Sequence, residues 1–528
     1  MYSKTKYEHK KHFCMHCLQC FTSEQVLSNH KDVCISINGK QAIEMPKEGS
    51  ILKYENYHKQ LDVPFVIYAD FEAIVEKTAG GDLDDGSVSY TTAYQKHTCC
   101  GYGYKLVCCY DNTYSKPVEV YRGEDASNRF MKRMLAEVNY CKKTIKAHFN
   151  KDMIITSAEK ESYKKEVLCH ICGGEYTLED PKVRDHCHVT SNYRGAAHRS
   201  CNVNFRLTNK ISVVFHNLRA YDSHFIMQEI GKFNQDINVI PNNMEMYLAF
   251  MLGKSLVFID SFQYMSSSLE NLVKNLPEDG FKYTSEEFHG KELEMMSRKD
   301  VYPYDYMDSF EKFKDTKLPS KEEFYSILND EHVSDENYKH AQKVWKQFKM
   351  KNMCDYHDLY LKTDTLLLAD VFENFRGACK QYYKLDPCHY FTSPGLAWDA
   401  MLKMTGVKLE LISDVDMSQF IEKGLRGGIS NITHRHGVAN NKYMSSYDEK
   451  SASKYIMYLD ANNLYGLAMS QCLPTGGFTC IPKKMLGKLS LDNYKDNSRK
   501  GIILEVDLEY PEKLHDKHNS YPLAPEKL

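Results

Sequence analysis

Two kinds of residue in this chain are arranged as cation ligands: sulfur and imidazole at short repeated spacings, and carboxylates set into apolar segments. In HFCMHCLQCFTSEQVLSNHKDVC, Cys14 and Cys17 are followed by twelve residues, His30, three residues and Cys34. This is zinc-finger spacing, in which a hairpin knuckle presents two thiolates and a short helix places His30 and Cys34 one turn apart. Phe21 and Leu27 fall where a small finger keeps its two core residues, Cys20 or His16 could replace one ligand, and a loop of buried thiols is the plain alternative. A second set, Cys169 and Cys172 with His198 and Cys201, repeats a two-residue spacing in both halves and predicts a second structural zinc.

The carboxylates belong to a different chemistry, because hard oxygen ligands suit magnesium and manganese. VPFVIYADFEAIV (63 to 75) has strand length and is interrupted by Asp70 and Glu72. At a period of two both acids point to one face and Phe71 to the other, and two adjacent acids repel unless a cation separates them. A solvated strand face is the other explanation. In ISVVFHNLRAYDSHFIMQEI (211 to 230), Asp222 stands where a helix should begin, and an ordinary N-cap accounts for it equally. In YHDLYLKTDTLLLADVFENF (356 to 375), apolar residues recur at helical spacing, so Tyr360 and Asp364 share a face. YIMYLDANNLYGLAM (455 to 469) ends an apolar strand at Asp460 and turns into a helix.

The elements that would position these residues imply a folded α/β chain. Its 528 residues predict several domains, and 42% apolar with 26% charged residues set disorder aside. No apolar run approaches the ~18 residues of a membrane span, and the amino terminus has no hydrophobic signal region, so an intracellular chain without a membrane partner is expected, nucleus or cytoplasm unresolved. The formal charge of −3 leaves any nucleic-acid contact to local basic patches. Eighteen cysteines in a reducing compartment read as metal ligands or buried thiols. The stretch from 276 to 345, rich in Lys, Glu, Asp and Tyr, has no metal-ligand spacing and reads as an irregular, solvated part of the same domain.

Taken in order, Asp-x-Glu on a strand, a strand-to-helix Asp preceded by Asn217 and Tyr221, and a late Tyr-x-x-x-Asp helix resemble the three exonuclease motifs of family B DNA polymerases. The resemblance implies a ribonuclease H-like 3′–5′ exonuclease domain over 55–375, with two divalent ions held by Asp70, Glu72, Asp222 and Asp364. By the same carry-over, Tyr360 orients the attacking water, and Asn217 and Tyr221 hold the strand end of single-stranded DNA. Either Ser261 or Ser268 matches the strand-binding serine. The insertion at 166–206 resembles the ββα-metal (HNH) core of endonuclease VII-like nucleases, in which His186 is the general base and Asp185 with Asn202 holds a metal. Cysteine at 187 and histidine at 198 depart from that family's pattern.

The segment around Asp460 resembles polymerase motif A, which implies that Asp460 holds catalytic metals and Tyr465 stacks beneath the incoming sugar. Gly427 and Gly428 match a template-contacting loop of protein-primed enzymes, except that its aromatic member is missing. No Lys-x-x-x-Asn-Ser-x-Tyr-Gly or Asp-Thr-Asp-Ser follows, so 376–528 is expected to be a polymerase domain that stops shortly after motif A. The finger (1–40), the zinc insertion and YPLAPE resemble polymerases of Polinton (Maverick) transposons, which implies a terminal priming protein as partner. Two alternatives remain: an HNH endonuclease using the rest as a platform, and an inactive zinc-stabilised remnant that binds DNA.

Overall fold

The strand carrying Asp70 and Glu72, β1 (Phe65–Lys77), runs through the middle of a seven-stranded sheet with β2 (Gln95–Cys108), β3 (Glu119–Arg122), β4 (Ile211–Phe215), β5 (Ile237–Pro241), β6 (Tyr247–Leu252) and β7 (Leu256–Asp260). In this computed structural model the described residues are 12–14, 20–38, 45–77, 95–243, 246–425, 432, 434–495 and 497–519. The strand order is β5-β6-β7-β4-β1-β2-β3. β4 is parallel to β1 and to β7, and the remaining neighbours are antiparallel.

Alternation along β1 feeds two cores. Phe65, Ile67, Ala69, Phe71 and Ala73 enter one, packed under α1 (Ala126–His148) and α2 (Asp222–Ile230). Val66, Tyr68 and Ile74 enter the other, with Tyr356, Tyr360 and Leu366 to Phe372 of the long helix α4 (Met353–Tyr383); α3 (Asp335–Gln347) joins this side through Ala341 and Val344. Every residue of α4 from Thr363 to Phe372 is buried, the mark of a helix enclosed on all sides rather than lying on a surface. Glycines on β2 let it come that close. Gly103 and Gly101 lie opposite Asp70 and Glu72, and a Cβ on either would collide with Thr365 or His357 of α4.

A buried ion network anchors α4 to the start of β1. Arg376 donates to Asp386 at 3.1 and 2.6 Å, to Glu373 at 2.6 Å and to the Val63 carbonyl at 3.3 Å, while Val63 N–H donates to Asp386 at 2.8 Å. Lys59 pairs with Asp399 at 2.9 Å. Residues 376–406 therefore pack with the residues before them, and one compact unit spans 54–406. Helix α4 itself continues to Tyr383, where Lys384 takes a left-handed conformation as C-cap.

The second unit comprises 1–53 and 407–528. Here Leu409–Glu410 pairs with Ile51–Leu52, and helices Glu24–Asn38 and Val415–Gly424 are the longer elements. The apolar segment expected to be a strand ending at Asp460 forms no ladder, and neither does the segment around Asp507, because no described strand lies beside them. No described helix is long and apolar enough to cross a membrane. Of the cysteines expected in the core, Cys99, Cys100, Cys108 and Cys379 are buried, whereas Cys109 is exposed.

Candidate active site

Strand β1 sends Asp70 and Glu72 to the α4 side of the sheet, and α4 brings Asp364 to meet them: one oxygen from each lies within 4.8 Å of the others. Asp222, the first residue of α2, lies beside this group at the strand-to-helix turn but is not among the three whose oxygens converge. It is buried, it stands in the field of Asp70, its own charge reaches Glu72, and its carboxylate shares the Phe71 backbone N–H with Asp70.

Asp70, Glu72 and Asp222 resist ionisation. Burial, then the charge of Asp364, pushes Asp70 up to about 7. Burial, then Asp70, raises Glu72 and Asp222 well above the carboxylate range. One cation opposes this. Lys299 Nζ donates to Asp364 Oδ2, and although burial lowers its basicity, Asp364, Asp70 and Glu72 outweigh that and hold it charged. The other oxygen, Asp364 Oδ1, is buried and has no hydrogen-bond partner among the described residues. An orphaned carboxylate oxygen beside Asp70 and Glu72, with Lys299 the ammonium group paired there among the described residues, fits a divalent cation in charge and in ligand type.

Lys299 was not legible in the sequence, and the stretch around it, 297–309, is irregular as expected but mostly buried or half-buried rather than solvated. Residues 298–304 form a strap along α4. Tyr356 Oη donates to the Val301 carbonyl at 2.6 Å, Tyr302 Oη bonds His357 Nδ1 at 2.9 Å, and Tyr304 Oη bonds Tyr360 Oη at 2.9 Å. Tyr302 also stacks on Tyr360 at 4.9 Å. On its other side the strap is tied to α3, where Arg298 Nη2 donates to Asn337 at 2.6 Å. The one available signal was Tyr-Pro-Tyr at 302–304, an extended dipeptide flanked by aromatics.

Tyr360 is thus fixed beside the acids, and burial keeps its phenol protonated. Tyr221 is half-buried near Glu72 and Asp222, with its hydroxyl bonded to His97 Nδ1 at 2.8 Å. Asn217 is exposed in a left-handed conformation (φ 70°), its N–H donating to the buried Asp260 at 2.8 Å. The two candidate serines separate: Ser268 caps a helix through Asn271 N–H, whereas buried Ser261 bonds His216, which feels the charges of Lys299 and Asp364.

In the insertion, the ligand atoms of Cys169, Cys172, His198 and Cys201 lie within 4.8 Å of one another. The left-handed Gly173 (φ 73°) closes the knuckle, and His198 Nε2 bonds the Glu175 carbonyl at 2.9 Å, which turns Nδ1 toward Cys172 Sγ at 3.3 Å. Backbone N–H groups overcome burial and lower the Cys169 thiol to about 7. The set fits tetrahedral zinc in donor type. The nuclease-like residues are arranged otherwise than expected. Asp185 is held by the Arg194 fork at 2.7 and 2.8 Å and by His170 at 2.9 Å, so both its oxygens are occupied. His186 bonds the Lys151 carbonyl at 3.2 Å, and Asn202 lies half-buried on the short helix Arg199–Asn204.

At the amino terminus Cys14, His30 and Cys34 converge within 4.8 Å, with Phe21 and Leu27 packed against them; Cys17 lies outside the described residues. Asp460 is exposed and Tyr465 is 87% exposed, and Asp460 belongs to none of the described groups of three or more His, Cys, Asp or Glu residues that could hold a metal. Gly427 and Gly428 lie outside the described residues. Compared with known proteins, residues 203–528 match the family model for type B DNA polymerases, organellar and viral. No curated protein matches the chain.

Proposed function

The chain belongs to the organellar and viral type B DNA polymerases, and from that premise we propose that residues 54–406 are a ribonuclease H-like 3′–5′ exonuclease that proofreads DNA. The observation that carries this reading is the meeting of Asp70, Glu72 and Asp364, with Asp222 beside them and one Asp364 oxygen left unpaired. The strand order β3-β2-β1-β4-β7, antiparallel and then parallel, supports the fold assignment.

The reaction is attack of water on the terminal phosphodiester, with departure of the 3′ oxygen. Asp70, Glu72 and Asp364, with Asp222 beside them, would hold magnesium or manganese, which would supply charge compensation for the attacking and leaving oxygens. Lys299 adds a fixed positive charge at Asp364. Tyr360, kept neutral and locked by Tyr302 and Tyr304, orients the water. Tyr221 and Asn217 stand at the mouth to hold the strand end.

Asp460 and Tyr465 are assigned to the nucleotide-adding site. The two cysteine–histidine groups are read as structural zinc sites. The insertion is read as a scaffold rather than a second nuclease, because the Arg194 fork occupies Asp185. The finger, the insertion and YPLAPE support a protein-primed, mobile-element type that acts inside a cell with a terminal protein as partner. The test is digestion of a 5′-labelled single strand with magnesium or manganese. Shortening from the 3′ end that disappears in Asp70→Ala and Asp364→Ala is expected, and undiminished trimming by the double variant would end the reading.

A further inference from the structure

Helix α1 buries Phe130, Met131, Met134, Val138 and Cys141 against the sheet, and its opposite face is cationic. Arg129, Lys132, Lys142, Lys143 and Lys146 are exposed there, and the helix's one acid, Glu137, is buried and bonded to Lys116 at 2.6 Å. Among the described residues Lys142, Lys143 and Lys146 have no ion-pair partner. The acids nearest the face are already engaged. Glu229, whose field reaches Lys132, bonds Lys232 at 2.6 Å and Asn128 at 2.6 Å, and Asp111, near the far end, accepts from Thr113 at 2.9 and 2.7 Å.

The cations fall into two clusters, Arg129 with Lys132 and Lys142 to Lys146, whose nearest members, Lys132 and Lys142, are about 15 Å apart along the axis at 1.5 Å per residue. Between them the exposed residues are small or neutral, Ala136 and Asn139. Two backbones on either side of a groove about 12 Å wide meet both clusters at once, at twice the charge density of a single strand. The stripe also leads to a second feature. Just beyond α1, Lys151 N–H donates to the His188 carbonyl at 2.9 Å and its own carbonyl bonds His186, so the basic face runs into the histidine pair of the zinc insertion.

We propose that the outer face of α1 is a binding surface for the phosphate backbones of duplex DNA. The proposal depends on DNA being the partner and not on the exonuclease reading.

The test measures binding of the full chain to a blunt duplex oligonucleotide and to a single strand of equal length, by fluorescence anisotropy over a range of salt. The variant is Lys142→Gln/Lys143→Gln/Lys146→Gln; the control is Lys274→Gln/Lys314→Gln/Lys346→Gln, also exposed. Loss of three phosphate contacts makes the salt slope for duplex shallower by roughly 3 and weakens duplex binding about ten-fold or more near 0.1 M salt. Single-strand binding and end-trimming remain at wild-type level, and Lys→Arg at the same three positions restores the slope. An unchanged slope, an equal effect in the control, or an equal loss for the single strand overturns the assignment.

Discussion

Replacing Gly103 by alanine tests whether the spacing between sheet and helix sets the geometry of the acids. A methyl at Gly103 would overlap Thr365 Oγ1 and stand 3.1 Å from the Leu361 carbonyl and 3.3 Å from Leu361 Cγ. Such contacts settle near 3.5–4.0 Å, so α4 must retreat by about 0.5–1 Å. Overpacking of this kind costs about 1–3 kcal/mol, which lowers the melting temperature yet leaves a domain with several kcal/mol in hand folded. Asp364 adjoins Thr365 on the helix, so its carboxylate moves away from Asp70 by a similar distance, and a misplacement of about 1 Å costs on the order of 100-fold in rate. The expected result is therefore a loss of single-turnover trimming far larger than any loss of folded protein, partly recovered by Thr365→Ala in the same chain. The variant is assayed on a 5′-labelled single strand at saturating magnesium, with thermal denaturation in parallel. Wild-type trimming by a folded Gly103→Ala, or a loss no greater than the fraction unfolded, would refute the spacing argument.

Lys299→Met removes the one ammonium group among the acids. Stability should fall by about 3 kcal/mol at pH 8, and the deficit should shrink toward pH 5 as the carboxyls protonate; a deficit independent of pH would count against the pairing with Asp364. Because Asp70 is raised to about 7 by burial and by Asp364, the metal-free fold holds a proton that the unfolded chain releases near pH 4. Melting in EDTA should consequently drop as pH rises from 4 through 7, and magnesium should restore most at pH 8; a flat profile would contradict the clustering. Cys172→Ser or Cys201→Ser should remove one equivalent of bound zinc and lower the melting temperature while end-trimming persists, and unchanged zinc content would remove the insertion's metal assignment. His97→Phe frees the Tyr221 hydroxyl, so the KM for single-stranded ends should rise several-fold with kcat preserved; a fall in kcat alone would detach Tyr221 from substrate holding.

What the sequence revealed was local. The alternation of VPFVIYADFEAIV places Phe71 in one core and sends Asp70 and Glu72 the other way, as strand period demands. The four-residue step from Tyr360 to Asp364 and the two-residue steps of the cysteines carry their geometry with them. Asp222 was ambiguous because a cap and a ligand occupy the same position at a strand-to-helix turn, and only the neighbouring acids distinguish them. Lys299 and His97 were invisible because their partners, Asp364 and Tyr221, lie 65 and 124 residues away. The partner of Asp185 was hidden for a similar reason: the Arg194 guanidinium reaches it across a hairpin, and nothing in the Asp-His-Cys-His string announces it. The strand expected before Asp460 failed because β structure is a property of pairs, and an apolar run without a neighbour has nowhere to place its backbone donors.

Helix α4 carries Asp364 and, twelve residues on and about 18 Å away along its axis, the Arg376 guanidinium that grips Val63 and Asp386. A continuous rod gripped at one end behaves as a lever. Loosening that grip tilts the whole rod, so the convergence of the acids is governed partly by residues bearing no reactive group, at a position no inspection of the acid cluster would single out.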